Sequence, residues 1–142
     1  MNGNSNLGGA IILNGDVSGI VVDNCKFINN TATQNGGAIY AKGAFINSTV
    51  KNSEFASNIA AKNGGAVAIL GGGTASFSTQ TSDVMTYNNV PAAVFSGNKA
   101  TGADNSRGAA IFVNSGSCTL NVSGYTFTDN TEGNGEIYVV NG

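Results

Sequence analysis

Residues 27–40 read FINNTATQNGGAIY and residues 55–67 read FASNIAAKNGGAV. Both stretches open on Phe-x-x-Asn and run into Asn-Gly-Gly-Ala and an aliphatic residue, 28 residues apart. Outward from them, the Gly-Gly-Ala element recurs at Gly8-Gly9-Ala10, Gly36-Gly37-Ala38 and Gly64-Gly65-Ala66. Weaker copies stand at Arg107-Gly108-Ala109-Ala110 and Asn134-Gly135-Glu136-Ile137. Phe-x-x-Asn recurs as Phe27/Asn30, Phe55/Asn58, Phe95/Asn98 and Phe127/Asn130. Five residues before each Phe stands a valine: Val22, Val50, Val90 and Val122. Two before it stand Cys25, Ser53, Ala93 and Tyr125. Turn formers such as Asn24, Asn52 and Gly124 separate the Val row from the Phe row. The pattern predicts two short strands per copy, each with its row pointing inward.

A unit of this length cannot bury its own apolar face, but stacked units can. At a spacing of about 4.8 Å every strand pairs in parallel with its own copy above and below. Phe then meets Phe, Val meets Val, and the asparagines of Phe-x-x-Asn form an amide ladder at a turn. The second glycine of each pair (Gly9, Gly37, Gly65, Gly108, Gly135) is read as a position of positive φ or of close backbone approach. The same register sets Asp23 opposite Lys51 and Lys26 opposite Glu54, as opposite-charge neighbours on an outer face. Gly, Asn, Ser and Thr interrupt any helical period. The expected fold is therefore all-β, a right-handed parallel β-helix of about four to five coils. It is expected to form one domain over residues 1–142, with an insertion loop in the third coil at about residues 71–88. A β-sandwich with accidental repetition competes poorly with rows held in fixed register.

Composition narrows the function. Charged residues make up 10% of the chain and the net charge is −2, so there is no basic patch for a nucleic acid. No histidine is present, which removes the commonest general base and metal ligand. No apolar run approaches the roughly 18 residues of a membrane-spanning helix. No basic stretch followed by an apolar one succeeds Met1, so no secretory leader is visible. Cys25 and Cys118 fall in the first and fourth coils, which predicts free thiols rather than a bridge.

The paired motifs, clearest at residues 27–40 and 55–67, resemble the polymorphic outer-membrane protein repeat of surface adhesins and adhesin-like proteins. The resemblance implies a right-handed β-helix at the cell surface or outside the cell, often as the passenger of a larger protein. It also implies adhesion to a host or neighbouring surface, through a protein or a glycan, with no cofactor and no enzymatic activity.

β-Helices also serve polysaccharide lyases and glycosidases, whose sites pair carboxylates. Asp23 and Glu54 already have lysine neighbours. Asp129, Glu132 and Glu136 cluster without a base among them, and Asp104 with Arg107 reads as a loop ion pair. A carbohydrate-active β-helix fragment is thus the alternative, and a self-assembling structural unit a second one. Two features are candidate binding elements. One is the insertion with Phe77, Met85 and Tyr87. The other is an outward apolar stripe formed by Ile12, Tyr40, Ala68, Ile111 and Tyr138, between inward rows on the strand after Gly-Gly. Such a stripe calls for a cover, a partner or a ligand. The stripe and the open strand edges at the ends are also the places where self-association would occur.

Overall fold

The computed structural model describes residues 3–79, 93–103 and 105–140. Among them there is no helix, and every strand pairing is parallel. The arrangement follows the repeat. One sheet collects the strands after Gly-Gly: Ile11–Leu13, Ile39–Ala41, Val67–Ile69, Ile111–Asn114 and Ile137–Val140. A second, the Val sheet, collects Val21–Asp23, Ser48–Lys51, Gly73–Ser78 and Cys118–Ser123. A third, the Phe sheet, holds Lys26–Ile28, Glu54–Ala56, Val94–Ser96 and Thr126–Thr128. The short strands after the asparagines (Asn4–Ser5, Thr31–Ala32, Ile59–Ala60 and Lys99–Ala100) make a fourth. Val17–Ser18 pairs with Phe45–Ile46 at a further corner. Each strand thus hydrogen-bonds to its counterpart one repeat away, a topology compatible with a solenoid.

Left-handed residues at two corners cut each repeat into short strands. The first corner joins the Val and Phe strands, where Asn24, Asn52 and Gly124 have φ of 54°, 46° and 74°. The second falls between the Phe and the Asn, where Asn29, Ser57, Gly97 and Asp129 have φ of 54–59°. Asn tolerates this region because its short polar side chain bonds locally. The Gly-Gly pair divides its labour. The first glycine takes the positive φ, as at Gly36 and Gly64. The second permits close approach: a Cβ on Gly37 would fall 2.0 Å from the carbonyl oxygen of Gly65.

The interior is a set of like-on-like columns. Phe27, Phe55, Phe95 and Phe127 stack with ring centroids 4.8, 4.6 and 5.0 Å apart, and neighbouring planes diverge by no more than 9°. The rings of Phe27, Phe55 and Phe95 are buried; Phe127, in the last complete repeat, is half-buried. Beside them runs the column of Val22, Val50 and Val122. Its third rung is filled not by Val90, which lies outside the described residues, but by Phe77. The register pairs Phe77 with Val50 on one side and Val122 on the other. Counting back from Phe95 therefore misplaced the insertion. Residues 73–78 form a regular strand, with Ala75 and Phe77 inward. The excess over the five-residue Val-to-Phe spacing is residues 80–92.

A second correction concerns the fourth repeat. Its strand pairs Val67 with Ile111, Ala68 with Phe112 and Ile69 with Val113. Gly108, with φ of 65°, is the first glycine of the pair, and Ala109 stands where the second would be. Ile111, expected from sequence to face outward, accordingly points into the core, and Phe112 takes the outward position instead.

Tyr125 ties the repeats across the insertion. Its hydroxyl accepts a hydrogen bond from the backbone N–H of buried Ser53 at 3.1 Å, two repeats away. The ring reaches that far past the small Ala93 and packs on Phe77 and Phe95. Burial raises the Tyr125 hydroxyl above its ordinary pKa of 10.0, against the lowering effect of the Ser53 bonds. The folded state therefore holds this proton more tightly than the unfolded chain does. The contribution is fully present below pH 10 and is lost as pH rises through the folded value. Tyr125→Phe is expected to cost about 1–2 kcal/mol at neutral pH, because the Ser53 N–H loses its acceptor. The variant should also flatten the alkaline limb of stability, which chemical denaturation across pH would measure.

Candidate functional site

The outward face of the Gly-Gly sheet carries the apolar stripe. In the observed register it consists of Ile12, Tyr40, Ala68, Phe112 and Tyr138. Its middle is closed. Tyr40 and Phe112 are each 5% exposed and Ala68 is fully buried, packed with Leu7, Leu70, Tyr138 and Val140. The Arg107 guanidinium carbon lies 5.0 Å above the Tyr138 ring, a cation–π contact that also shields that end. Only the first rung is open, with Ile12 at 42%. The stripe is thus largely covered by the chain's own side chains. As binding residues, Tyr40 is inaccessible and Ile111 is in the core.

The sequence-predicted insertion residues separate in the same way. Phe77 is 1% exposed, with its ring edge-on to Phe55 and Tyr125. It is a core residue and no part of a loop. Met85 and Tyr87 lie outside the described residues, as does Asp83. The residues on both flanks of the insertion are bonded to neighbouring repeats. The Asn52 N–H donates to the Ser78 carbonyl at 3.2 Å, and the Thr79 N–H to the Ser123 carbonyl at 3.2 Å. On the return side, the Thr126 N–H donates to the Ala93 carbonyl at 3.1 Å. Thr79 and Ala93, the described residues that flank residues 80–92, are thus both bonded to the fourth repeat.

Three residues beyond each stacked Phe run the asparagines. The Nδ2 of Asn30 donates to Oδ1 of Asn58 at 2.8 Å, Asn58 to Asn98 at 2.9 Å, and Asn98 to Asn130 at 2.8 Å. Each Oδ1 also accepts the backbone N–H of the preceding asparagine, at 3.0 Å. Each second Nδ2 hydrogen reaches a Phe carbonyl: Asn58 to Phe27, Asn98 to Phe55 and Asn130 to Phe95. Both lone pairs and both hydrogens of the interior amides are used, so the column is structural and leaves nothing for a ligand. At its far end Asn130 also reaches the Glu136 carboxylate, at 3.4 Å.

Three ion pairs are found among the described residues. Lys26 meets Glu54 at 3.2 Å, Lys51 meets Asp23 at 3.7 Å, and Lys99 meets Glu132 at 3.2 Å. These are solvent-exposed pairs worth little individually. Asp104 lies outside the described residues. Among the described residues no group of three His, Cys, Asp or Glu side chains could hold a metal. Cys25 and Cys118 are free and half-buried. Cys25 is less buried than its row predicts, since it borders an apolar hollow of about 440 Å³ lined by Ile11, Val22 and Phe27.

The described residues thus define an all-β stack of parallel repeats, with residues 80–92 in excess of the repeat between Thr79 and Ala93. Residues 24–42, which span the first Phe-x-x-Asn and the second Gly-Gly, match the Chlamydia polymorphic membrane protein repeat. No curated protein and no solved structure matches the chain.

Proposed function

We propose that this chain is a right-handed parallel β-helix that acts as a non-enzymatic, adhesin-like scaffold at the cell surface. Its rigid stack carries residues 80–92 as the recognition element, toward a surface protein or glycan of a host or neighbouring cell. The observation that carries this reading is the corner at Ser78, Thr79 and Ala93, where Ser78 accepts from the second repeat and Thr79 and Ala93 bond to the fourth, while the core closes behind it. The repeat match over residues 24–42 supports a surface setting.

The reading has a direct test. Joining Thr79 to Ala93 restores the five-residue spacing between Phe77 and Phe95 found between Val and Phe elsewhere. Thr79 then occupies the position where Asn24 and Asn52 take a positive φ, so the deletion should be combined with Thr79→Asn. The deleted variant is expected to unfold within about 1 kcal/mol of the parent. Cell-binding and glycan-array signals should disappear with it. Binding that survives the deletion, or a parent that binds no cell or glycan, would overturn the proposal.

A further inference from the structure

Of the chain's six Asn-Gly steps, Asn134-Gly135 is exposed in the last repeat, and three others within the stack sit in two different settings. At Asn35-Gly36 and Asn63-Gly64 the glycine is buried and its N–H donates to the next repeat, to the Asn63 carbonyl and to the Arg107 carbonyl, each at 2.9 Å. Their side chains are held as well: Asn63 Nδ2 donates to Asn35 Oδ1 at 3.0 Å, and the Arg107 N–H to Asn63 Oδ1 at 3.0 Å. At Asn14-Gly15 both residues are exposed, and among the described residues neither the Asn14 side chain nor the Gly15 N–H has a partner. The corner causes this, not the position of the repeat. Gly43 and Gly71, which pack on Gly15 and on each other in register, also have unbonded N–H groups. Only the first repeat puts an asparagine before that glycine, where the others have Lys42 and Leu70.

We propose that Asn14 is a site of spontaneous deamidation in the folded protein, and that stacking protects Asn35 and Asn63. The Gly15 nitrogen gives its proton to solvent base and its electron pair forms a bond to the Asn14 side-chain carbonyl carbon. The C–Nδ2 bond breaks and ammonia leaves with a proton. Water then opens the succinimide at either carbonyl, giving Asp or isoaspartate; the net change is Asn plus water to acid plus ammonia. A bonded, buried glycine N–H cannot be deprotonated or swing onto its neighbour's side chain, so the two stacked steps stay closed. At Asn14 the product carboxylate lies two residues from Asp16, whose Oδ1 accepts the Ala44 N–H at 2.7 Å. An isoaspartate lengthens the backbone where Gly43 packs against it: a Cβ on Gly43 would already fall 2.3 Å from the Gly15 carbonyl carbon. The modification therefore loosens the corner between the first two repeats and adds negative charge there.

The test is peptide mapping by mass spectrometry of the full chain aged at mildly alkaline pH, with isoaspartate detected by methyltransferase labelling. In the folded protein Asn14 should convert at least about tenfold faster than Asn35 or Asn63. In denaturing urea the three rates should converge. Gly15→Ala is accommodated, because a Cβ there meets nothing within 4 Å; it should suppress conversion at Asn14 alone. Equal rates at the three sites in the folded chain, or no conversion at Asn14, would overturn the inference.

Discussion

Replacing Asn58 by Ala is expected to cost about 4 kcal/mol or more, a large share of the roughly 5–15 kcal/mol that holds a domain folded. The change removes one buried amide and strands four other groups. The Asn30 N–H and the Asn30 Nδ2 lose their acceptor. The Phe27 carbonyl loses its side-chain donor, and Asn98 Oδ1 loses one of two. None can turn to water, because Asn30, Asn58 and Asn98 are all fully buried. Asn58→Asp separates this account from simple loss of volume. The carboxylate keeps the shape and the acceptors but cannot donate to Phe27 or Asn98. It should be at least as damaging at neutral pH and regain part of the loss in acid, where the protonated group recovers one donor. Asn130→Ala, at the half-buried last rung, should cost less than half as much. Denaturant unfolding of the series checks the gradient, and equal losses at Asn58 and Asn130 would contradict it.

Phe55→Ala should be comparably severe, at about 3–5 kcal/mol. The ring lies between Phe27 and Phe95 with Phe77 against its edge, so truncation opens a cavity that no mobile side chain can fill. The neighbours cannot collapse inward, because each is fixed by a backbone ladder on its own strand. Phe127→Ala removes the same atoms from a half-buried site and should cost about 1–2 kcal/mol. Phe55→Leu, which keeps most of the volume, should fall between them. A calorimetric series with Phe55→Ala no worse than Phe127→Ala would mean that the column adds nothing beyond the area it buries.

Much of this fold could be read from the chain because interior columns demand one residue type at every level. Phe and Asn recur at fixed spacing since a stacked ring or amide has its own copy as partner. Reading failed where different residues meet one requirement. Phe77 fills a valine column, and counting from the conspicuous Val90 moved the insertion into a regular strand. Ala109 stands for a glycine, which shifted the fourth repeat by one and turned Ile111 outward. The left-handed residue before each ladder asparagine is Asn29, Ser57, Gly97 or Asp129. The backbone repeats there while the letter does not. The candidate site was less legible still. That the stripe is covered depends on Leu7, Leu70 and Arg107, which follow no row. The Tyr125–Ser53 bond depends on how far a side chain reaches past a small neighbour, which no spacing encodes.

The amide column has a direction: Asn30, Asn58 and Asn98 each donate from Nδ2 to the amide oxygen of the following repeat, and every internal junction presents the same donors to the same acceptors. A seam between two such units looks alike wherever the chain is cut. An in-frame duplication of one whole period could be spliced in at any interior level without altering the chemistry on either side. A part-period insertion could survive only at a corner, where residues 80–92 are found. The ladder thus sets a rule for length: whole periods keep every bond of the column, and fractions of a period do not.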